Sequence, residues 1–239
     1  MDKLYLIIPA YNEEANIETV LAEWYSVVEA HNASGESRLV VIDDGSRDST
    51  YEIMQRFAKT HTLFVPLTKP NGGHGATVLF GYKYALENGA DYIFQTDSDG
   101  QTLPSEFEQF WQCREENDMV IGWRKHRQDG ASRVLVTTVL KLVIKAIFHV
   151  SIRDVNTPFR LIKAEKLKEC VKYIPDNFNL SNVAQSTIFV KKDYRVKFIP
   201  ITFRPRQGGK NSINLPKIAK LGFNALKDFR AINKSLEVS

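Results

Sequence analysis

The feature that most constrains this chain is a regular alternation of strand-like and helix-like segments over its first 120 residues. Short apolar runs at residues 4–8 and 39–42 are typical of buried strands. The longer segments 15–30 and 50–59, which follow them, have the spacing of amphipathic helices. This order predicts an α/β fold with a doubly wound, mostly parallel sheet flanked by helices. Such sheets bind ligands at the carboxyl ends of their strands, so we expect functional residues in the loops found there.

Four loops at the predicted strand ends are polar or rich in glycine. They contain Pro9-Ala10-Tyr11-Asn12-Glu13, Asp43-Asp44-Gly45-Ser46, Asn71-Gly72-Gly73-His74-Gly75 and Asp97-Ser98-Asp99. All four therefore fall where a doubly wound sheet places its ligand.

Asp97 and Asp99 stand two residues apart on a predicted turn, where both carboxylates can face one divalent cation. Mg²⁺ and Mn²⁺ favour such oxygen ligands, and substrate phosphates would complete the coordination. Gln101 continues the spacing and can lend its amide oxygen. A solvated turn is the alternative interpretation of the same residues.

Asp43 and Asp44 precede a glycine at the end of the second predicted strand. Adjacent carboxylates can hydrogen-bond a base or a ribose there. A turn followed by a helix cap is the alternative, which we favour for Asp48.

The loop around Gly73 and Gly75 offers backbone N–H groups to an anion, or it is only a glycine turn. It matches neither the P-loop nor the dinucleotide-binding fingerprint.

The net charge of +4 hides two unlike halves. Residues 1–120 hold 8 Lys/Arg against 20 Asp/Glu, a net charge of −12. Residues 121–239 hold 24 against 8, a net charge of +16. The acidic half suits metal binding, and the basic half suits phosphates or an anionic membrane.

Other classes of protein fit this sequence less well. The first strand is not followed by G-x-G-x-x-G, which disfavours an NAD-linked oxidoreductase. No nucleic-acid recognition motif accompanies the basic half, so we expect no nucleic-acid partner. The two cysteines have no paired spacing, and neither a signal peptide nor an apolar stretch of about 18 residues is present. These features predict a cytoplasmic protein.

Taken in order, the motifs resemble those of the inverting family-two glycosyltransferases, which have the GT-A fold. Within that family the chain is similar to the polyprenol-phosphate (dolichol-phosphate) sugar transferases. Their D-x-D-x-Q, G-x-R and D-x-x-x-x-F-R motifs are similar to residues 97–101, 122–124 and 154–160. Residues 199–203, followed by Arg206, Gly209 and Ser212, are similar to their V-P-I-S-F, R and G-x-S stretch.

The resemblance implies a catalytic domain over residues 1–213 and an amphipathic helical tail over residues 214–239. It implies a GDP- or UDP-linked sugar bound by Pro9, Tyr11, Glu13, Asp43, Asp44, Asn71, Gly73, Gly75, Asp97 and Arg206. It also implies that Asp97, Asp99 and Gln101 hold Mg²⁺ or Mn²⁺ on the diphosphate. The metal and Arg206 would neutralise charge that builds on the departing nucleoside diphosphate.

The resemblance further implies transfer to a polyprenyl phosphate, with Asp99, Arg124 and Asp154 as catalytic residues. Arg124 and Arg133 would bind the acceptor phosphate. A phosphate is already an anion, so it needs no strong general base. Family members with hydroxyl acceptors carry an acidic base before a Q-x-x-R-W stretch, which this chain lacks. Transfer to a glycan hydroxyl, with Asp154 or Asp176 as the base, stays open as the alternative.

Two departures from the family pattern leave the donor sugar open. Asn182 to Gln185 stand where polyprenol-phosphate mannosyltransferases carry an acidic residue. His74 stands where this group often has lysine.

Residues 133–150 have the pattern of an amphipathic helix. Its polar sector contains Arg133, Thr137, Lys141, Lys145 and His149, and its apolar face includes Val139 and Leu142. Such a helix either packs in a core or docks at a membrane interface. Access to a lipid-linked acceptor would come from this helix, from a second amphipathic helix near residues 217–234, or from a membrane-protein partner. We therefore expect a protein that is peripheral at the cytoplasmic face of a membrane.

Overall fold

The computed structural model describes residues 2–124, 131–205 and 215–238, and for helix residues 131–136 and 215–224 it describes the backbone. The strands are β1 Leu4–Ala10, β2 Arg38–Asp43, β3 Phe64–Thr68, β4 Tyr92–Gln95, β5 Met119–Arg124, β6 Arg160–Lys163 and β7 Val196–Ile201. The α-helices are α1 Ile17–Ala30, α2 Thr50–Ala58, α3 His74–Glu87, α4 Phe107–Trp111, α5 Ala131–Phe148, α6 Ala164–Cys170, α7 Ser181–Lys191 and α8 Leu215–Glu237. Two 3₁₀ helices lie at Pro104–Glu106 and Val171–Tyr173.

The strands form a mostly parallel sheet, as predicted, in the order β3-β2-β1-β4-β6-β5-β7. Only β6, among the described strands, runs antiparallel to its neighbours, β4 and β5. The sequence did not predict β6, because a four-residue segment that begins with an arginine carries little strand signal. The reversed direction of β6 brings its first residue, Arg160, to the end of the sheet where the parallel strands finish.

Helices cover both faces of the sheet, which is why β1 is buried along its whole length. Leu4 and Leu6 pack with Trp24 of α1 on one face, and Ile7 packs with α3 on the other. Helix α3 approaches closely, since a Cβ on Gly81 would lie 2.5 Å from Cγ2 of Ile7. Glycine at this position thus lets the middle of α3 pack directly on Ile7 of β1 and Ile42 of β2.

Helix α5 packs against the core through Ile144 and Phe148, which are buried. The sequence left open whether the apolar face of this helix packs in the core, and the structure divides that face, because Val139 and Leu142 are 51% and 62% exposed. Among the described residues, α7 and α8 pack against the side of α5 that carries Ile144 and Phe148. Helix α5 therefore has a second apolar strip in contact with solvent.

Helix α8 buries Ala225, Phe229 and Ile232 and exposes Lys227, Arg230 and Lys234. The Phe229 ring lies 5.9 Å from the ring of Phe148 and 5.3 Å from that of Phe178. The described part of α8 thus packs into the same core as α5. The predicted domain boundary at residue 213 lies outside the described residues. Over the described ranges, no helix is both long and apolar enough to cross a membrane.

Candidate active site

The first two loops at the strand ends are joined by backbone and side-chain hydrogen bonds. Asn12 N donates to Ser46 Oγ at 2.9 Å, and Arg47 N donates to Asn12 Oδ1 at 2.9 Å. Glu13 N donates to Thr50 Oγ1 at 2.8 Å. These bonds hold the loop after β1 against the loop after β2.

The predicted nucleotide residues of the first loop differ in exposure. Pro9 is a buried residue of β1, whereas the side chain of Tyr11 is 42% exposed at the rim. Glu13 is buried and accepts a hydrogen bond from Asn16 Nδ2 at 2.9 Å. Of these three, Tyr11 presents the most surface to a ligand.

Asp43 fastens the end of β2 to its neighbours. Its Oδ1 accepts from Ser46 N at 3.0 Å, and its Oδ2 accepts from Thr68 Oγ1 at 2.8 Å. Asp48 accepts from Thr50 N at 3.0 Å, which is the local turn we favoured for it, while the N-cap residue of α2 is Ser49.

Asp44 binds the glycine-rich loop. Its carboxylate accepts from Lys69 Nζ at 2.5 Å and from the backbone N–H groups of Gly72 and Gly73, both at 2.9 Å. Burial alone would raise the pKa of Asp44, but the hydrogen bonds from Lys69 and Gly72 outweigh it and hold the pKa below its ordinary value. Asn71 Nδ2 donates to the Asp44 carbonyl at 2.9 Å. Two N–H groups that the sequence offered to a ligand anion are thus taken up by Asp44.

The segment at Phe178 and Asn179 lies so close to Gly73 and Gly75 that neither position has room for a side chain. Gly73 has φ of +86°, and a Cβ there would lie 2.7 Å from Asn179 Oδ1. A Cβ on Gly75 would overlap the carbonyl oxygen of Phe178. The glycines therefore let the segment before α7 close over the start of α3.

The predicted metal-binding residues lie in one loop, residues 97–101, which we term the metal loop. Asp97 Oδ1 lies 2.9 Å from Nε2 of His74, the first residue of α3. The imidazole has lost part of its water, which opposes a charge, but the side chain of His74 is still 49% exposed, and the carboxylates of Asp97 and Asp99 raise its pKa. Gln101 Nε2 donates to the Arg204 carbonyl at 2.8 Å, which fastens the metal loop to the chain after β7.

These residues fit a metal ion that shares its coordination with a diphosphate. Across the described residues, no group of three His, Cys, Asp or Glu side chains stands ready to hold a metal. Two carboxylates with the amide oxygen of Gln101 form a small set of hard oxygen donors. Mg²⁺ is commonly held by one or two carboxylates together with substrate phosphates and water.

Arg124 and Asp154, both predicted as catalytic, form a bidentate ion pair. Nε of Arg124 lies 3.0 Å from Oδ2, and Nη2 lies 3.1 Å from Oδ1. The guanidinium also lies 5.1 Å from the centre of the Phe203 ring. The side chain of Arg133 and the whole of Arg206 lie outside the described residues, so their predicted contacts stay predictions.

Asp176, the other predicted base, lies apart from these residues. Its side chain is 81% exposed and pairs with Lys83 Nζ on α3. Lys83 is nine residues along α3 from His74, a distance of about 13 Å at 1.5 Å per residue. Asp176 is therefore not brought to the metal loop.

Sequence reasoning gave no role to Arg160, which is the largest charged side chain in the core. It lies with Asn182 and Gln185 of α7, which begin and end the segment that stands where mannosyltransferases carry an acidic residue. The available signal was its place as the last residue of the D-x-x-x-x-F-R motif at residues 154–160, directly before the apolar pair Leu161 and Ile162.

A sequence model of glycosyl transferase family 2 matches residues 5–171, which is most of the chain. The chain belongs to glycosyl transferase family 2. The matched segment contains all four loops at the strand ends together with Arg124, Asp154 and Arg160. Family 2 members are glycosyltransferases, so this protein is a sugar-transferring enzyme.

Curated relatives within the family are similar over different parts of their length. An uncharacterised protein of Methanocaldococcus jannaschii is 36% identical over 175 residues, 68% of this chain and 72% of that protein. The undecaprenyl-phosphate 4-deoxy-4-formamido-L-arabinose transferase of Shewanella sediminis is 29% identical over 172 residues, 70% of this chain and 50% of that enzyme. The undecaprenyl-phosphate mannosyltransferase of Micrococcus luteus is 23% identical over 222 residues, 89% of this chain and 88% of that enzyme. The chain thus spans only about half of the Shewanella enzyme.

The fold is similar to that of the glucosyl-3-phosphoglycerate synthase of Mycobacterium tuberculosis. The superposition has a TM-score of 0.68 at 14% identity and covers 98% of this chain and 80% of that one. That enzyme was crystallised with Mn²⁺, UDP and glucosyl-3-phosphoglycerate. At this identity the likeness confirms the predicted GT-A fold of the family 2 domain and carries nothing about substrates.

Proposed function

We propose that this family 2 enzyme transfers a sugar from a nucleotide-sugar to a polyprenyl phosphate, with inversion at the anomeric carbon. The observation that carries the proposal is the bidentate pairing of Asp154 with Arg124. A carboxylate whose two oxygens both bind a guanidinium is poorly placed to take a proton from a hydroxyl acceptor. An acceptor that is already an anion does not need that step.

The curated relatives support the acceptor class more strongly than the donor sugar. The Shewanella and Micrococcus enzymes both carry undecaprenyl phosphate in their names, but one transfers an arabinose derivative and the other mannose. The relatives thus share an acceptor class but differ in the sugar. This chain also lacks an acidic residue at Asn182 to Gln185, where mannosyltransferases carry one, so its sugar stays open. We therefore propose the acceptor class and leave GDP or UDP, and the sugar, to experiment.

We propose that the reaction depends on Mg²⁺ or Mn²⁺ held by Asp97, Asp99 and Gln101. When bound, the ion would neutralise charge on the diphosphate. The exposed surface of Tyr11 would receive the nucleoside, while Asp43 and Asp44 would hold the shape of the loops around it. The fold relative crystallised with Mn²⁺ and UDP supports a divalent ion for this architecture.

We propose that the enzyme works as a peripheral protein at the cytoplasmic face of a membrane. Helix α5 exposes Val139 and Leu142 next to the exposed cations Lys141 and Lys145. Its 18 residues include no Asp or Glu. An apolar strip flanked by lysines suits the interface of an anionic bilayer.

A panel of nucleotide-sugars with undecaprenyl phosphate and Mn²⁺ tests the proposed function. We expect a lipid-linked sugar with one donor, and loss of the product when EDTA is added. Sugar transfer to a glycan hydroxyl, with no lipid-linked product from any donor, would contradict the proposal and support the alternative acceptor class.

A further inference from the structure

Arg160 lies at the end of the sheet where the candidate site forms. It pairs with Gln95 of β4 on one side and with Ile121 of β5 on the other. Gln95 stands two residues before Asp97, and Ile121 stands three residues before Arg124. Arg160 is therefore next to the strand ends that carry the metal loop and the ion pair of Arg124.

The guanidinium of Arg160 is fully buried, and its hydrogen-bond partners among the described residues are neutral. Nε and Nη2 donate to the Thr157 carbonyl at 3.0 and 2.5 Å. Nη1 donates to the Asn182 carbonyl at 3.0 Å, to Gln185 Oε1 at 2.6 Å and to Ser186 Oγ at 3.2 Å. None of the ion pairs in the described part of the chain includes Arg160.

A buried charge without a carboxylate partner is costly, and an apolar side chain of similar volume would fill the space without that cost. Burial lowers the pKa of Arg160, although arginine keeps its proton in proteins. The carboxylates of Asp154 and Asp97 act favourably on this cation across space. Because Arg160 pairs with Gln95, two residues before Asp97, this cation lies at the strand end that leads into the metal loop.

We propose that Arg160 is a positioning residue whose buried charge favours negative charge on the nucleoside diphosphate at the metal loop. The inference rests on the proposed function. In that reaction the bond between the anomeric carbon and a diphosphate oxygen breaks, and both bonding electrons stay on that oxygen. An oxygen of the acceptor phosphate forms the new bond to the carbon. A fixed cation nearby stabilises the departing diphosphate without having to reorient.

Gln185 offers a nearly isosteric way to cancel this charge. Gln185→Glu puts a carboxylate oxygen where Oε1 lies 2.6 Å from Nη1 of Arg160. The guanidinium of Arg160 favours the ionised form of the new carboxyl group. An assay at pH 8 favours the ionised form further. Cancelling a buried unit charge near the metal loop is expected to change the affinity for the diphosphate by roughly three- to tenfold. We therefore expect Q185E to bind UDP or GDP with Mn²⁺ that much more weakly, and its kcat to fall similarly while the KM for the acceptor stays unchanged.

Gln185→Met is the matched control, because it removes the same hydrogen-bond acceptor at similar volume without adding a charge. We expect Q185M to bind the nucleotide within about twofold of the wild type, as measured by calorimetry. The melting temperature of Q185E should be no lower than that of Q185M, since Q185E gains an ion pair to Arg160. An equal loss of affinity in both variants, or no loss in Q185E, would overturn the inference.

Failure of the proposed acceptor would look different. The wild type would then bind UDP or GDP with Mn²⁺ but leave polyprenyl phosphate unmodified, and the comparison of Q185E with Q185M would still decide the role of Arg160. A wild type that binds neither nucleotide in the presence of Mn²⁺ would overturn both the donor site and this inference.

Discussion

Arg124 binds both carboxylate oxygens of Asp154, through Nε at 3.0 Å and through Nη2 at 3.1 Å. The side chains are 11% and 7% exposed, so the pair is largely shielded from water. Arg124 ends β5, and Asp154 lies in the segment that leads into β6. The pair therefore fixes the orientation of the guanidinium that we expect to meet the acceptor phosphate.

Asp154→Asn should lower both stability and activity. The amide keeps the shape of the side chain but leaves the buried guanidinium without a counter-charge, and we expect the free energy of unfolding to fall by about 2–4 kcal/mol. Because Arg124 would lose its fixed orientation, the KM for polyprenyl phosphate should rise at least about tenfold. Urea unfolding and steady-state kinetics measure the two effects.

Asp176→Asn is the control for this prediction, because Asp176 is exposed and its ion-pair partner among the described residues is the surface lysine Lys83. We expect the free energy of unfolding of D176N to stay within about 0.5 kcal/mol of the wild type, and its kcat and KM to stay close to those of the wild type. A larger loss of activity in D176N than in D154N would identify Asp176 as the general base and favour a hydroxyl acceptor.

Asp99→Ala should abolish metal-dependent turnover while leaving the fold intact. Asp99 lies in a partly exposed loop, and its removal takes one of two carboxylates from the expected metal ligands. We expect kcat to fall at least about a hundredfold and the Mn²⁺ dependence of UDP or GDP binding to disappear. Thermal unfolding without metal, compared with that of the wild type, checks the fold. Full activity in D99A would show that the metal assignment is wrong.

The sequence predicted the strand ends well because buried strands and their polar loops leave a strong periodic signal. It placed Asp97 and Asp99 in the loop where the structure has them, and it placed Asp43 one residue beyond the strand β2 that Asp43 in fact ends. It could not predict that Asp44 binds Gly72 and Gly73, because a carboxylate that holds a loop and one that holds a ligand have the same sequence pattern.

The sequence did not predict the features that depend on contacts between residues far apart in the chain. Strand β6 pairs with β4 across 65 or more residues of sequence, and no local pattern reports such pairing. The buried position of Arg160 follows from that pairing and from α7, so it appears only in three dimensions. Likewise, the exposure of Leu142 depends on which sides of α5 are covered by α7 and α8.

Gly75→Ala should destabilise the protein because the new Cβ meets backbone atoms that cannot move independently. The carbonyl oxygens of Phe178 and Asn179 occupy the space. We expect the free energy of unfolding to fall by about 1–3 kcal/mol. Gly72→Ala is the matched control, because its Cβ would mainly meet the flexible end of Lys69, and it should cost less than G75A. An equal cost in the two variants would contradict the close approach of the segment before α7.

Asp118 should make part of the stability depend on pH. Burial alone would raise its pKa, but hydrogen bonds from the backbone and side chain of Arg195 outweigh it and hold the pKa below the ordinary value of 3.8. A carboxyl with a lowered pKa in the folded state contributes stability fully above its ordinary value and loses it as the pH falls through the folded pKa. Asp118→Asn should therefore cost about 1–2 kcal/mol at pH 7, and progressively less below pH 4. A cost in urea unfolding that does not change with pH would contradict this origin.

The exposed strip of α5 should bind anionic membranes. Lys141→Glu combined with Lys145→Glu reverses two exposed charges beside Leu142, and each cation near an anionic surface is worth about 1 kcal/mol. We expect the double variant to bind phosphatidylglycerol vesicles at least about tenfold more weakly in a sedimentation assay. Activity on a soluble, short-chain acceptor should persist, because neither lysine belongs to the candidate active site.

Arg56→Glu combined with Lys59→Glu gives the matched control. Both residues are exposed on or just after α2, which packs on the opposite face of the sheet, and the change in net charge is the same. Retained vesicle binding in this control, together with loss in the α5 variant, would assign docking to α5, whereas equal losses would reflect net charge alone.

Leu142→Ser separates the apolar contribution from the charge, because it shortens the 62% exposed side chain and leaves both lysines in place. Reduced binding of L142S to neutral as well as anionic vesicles would mean that the helix inserts into the interface.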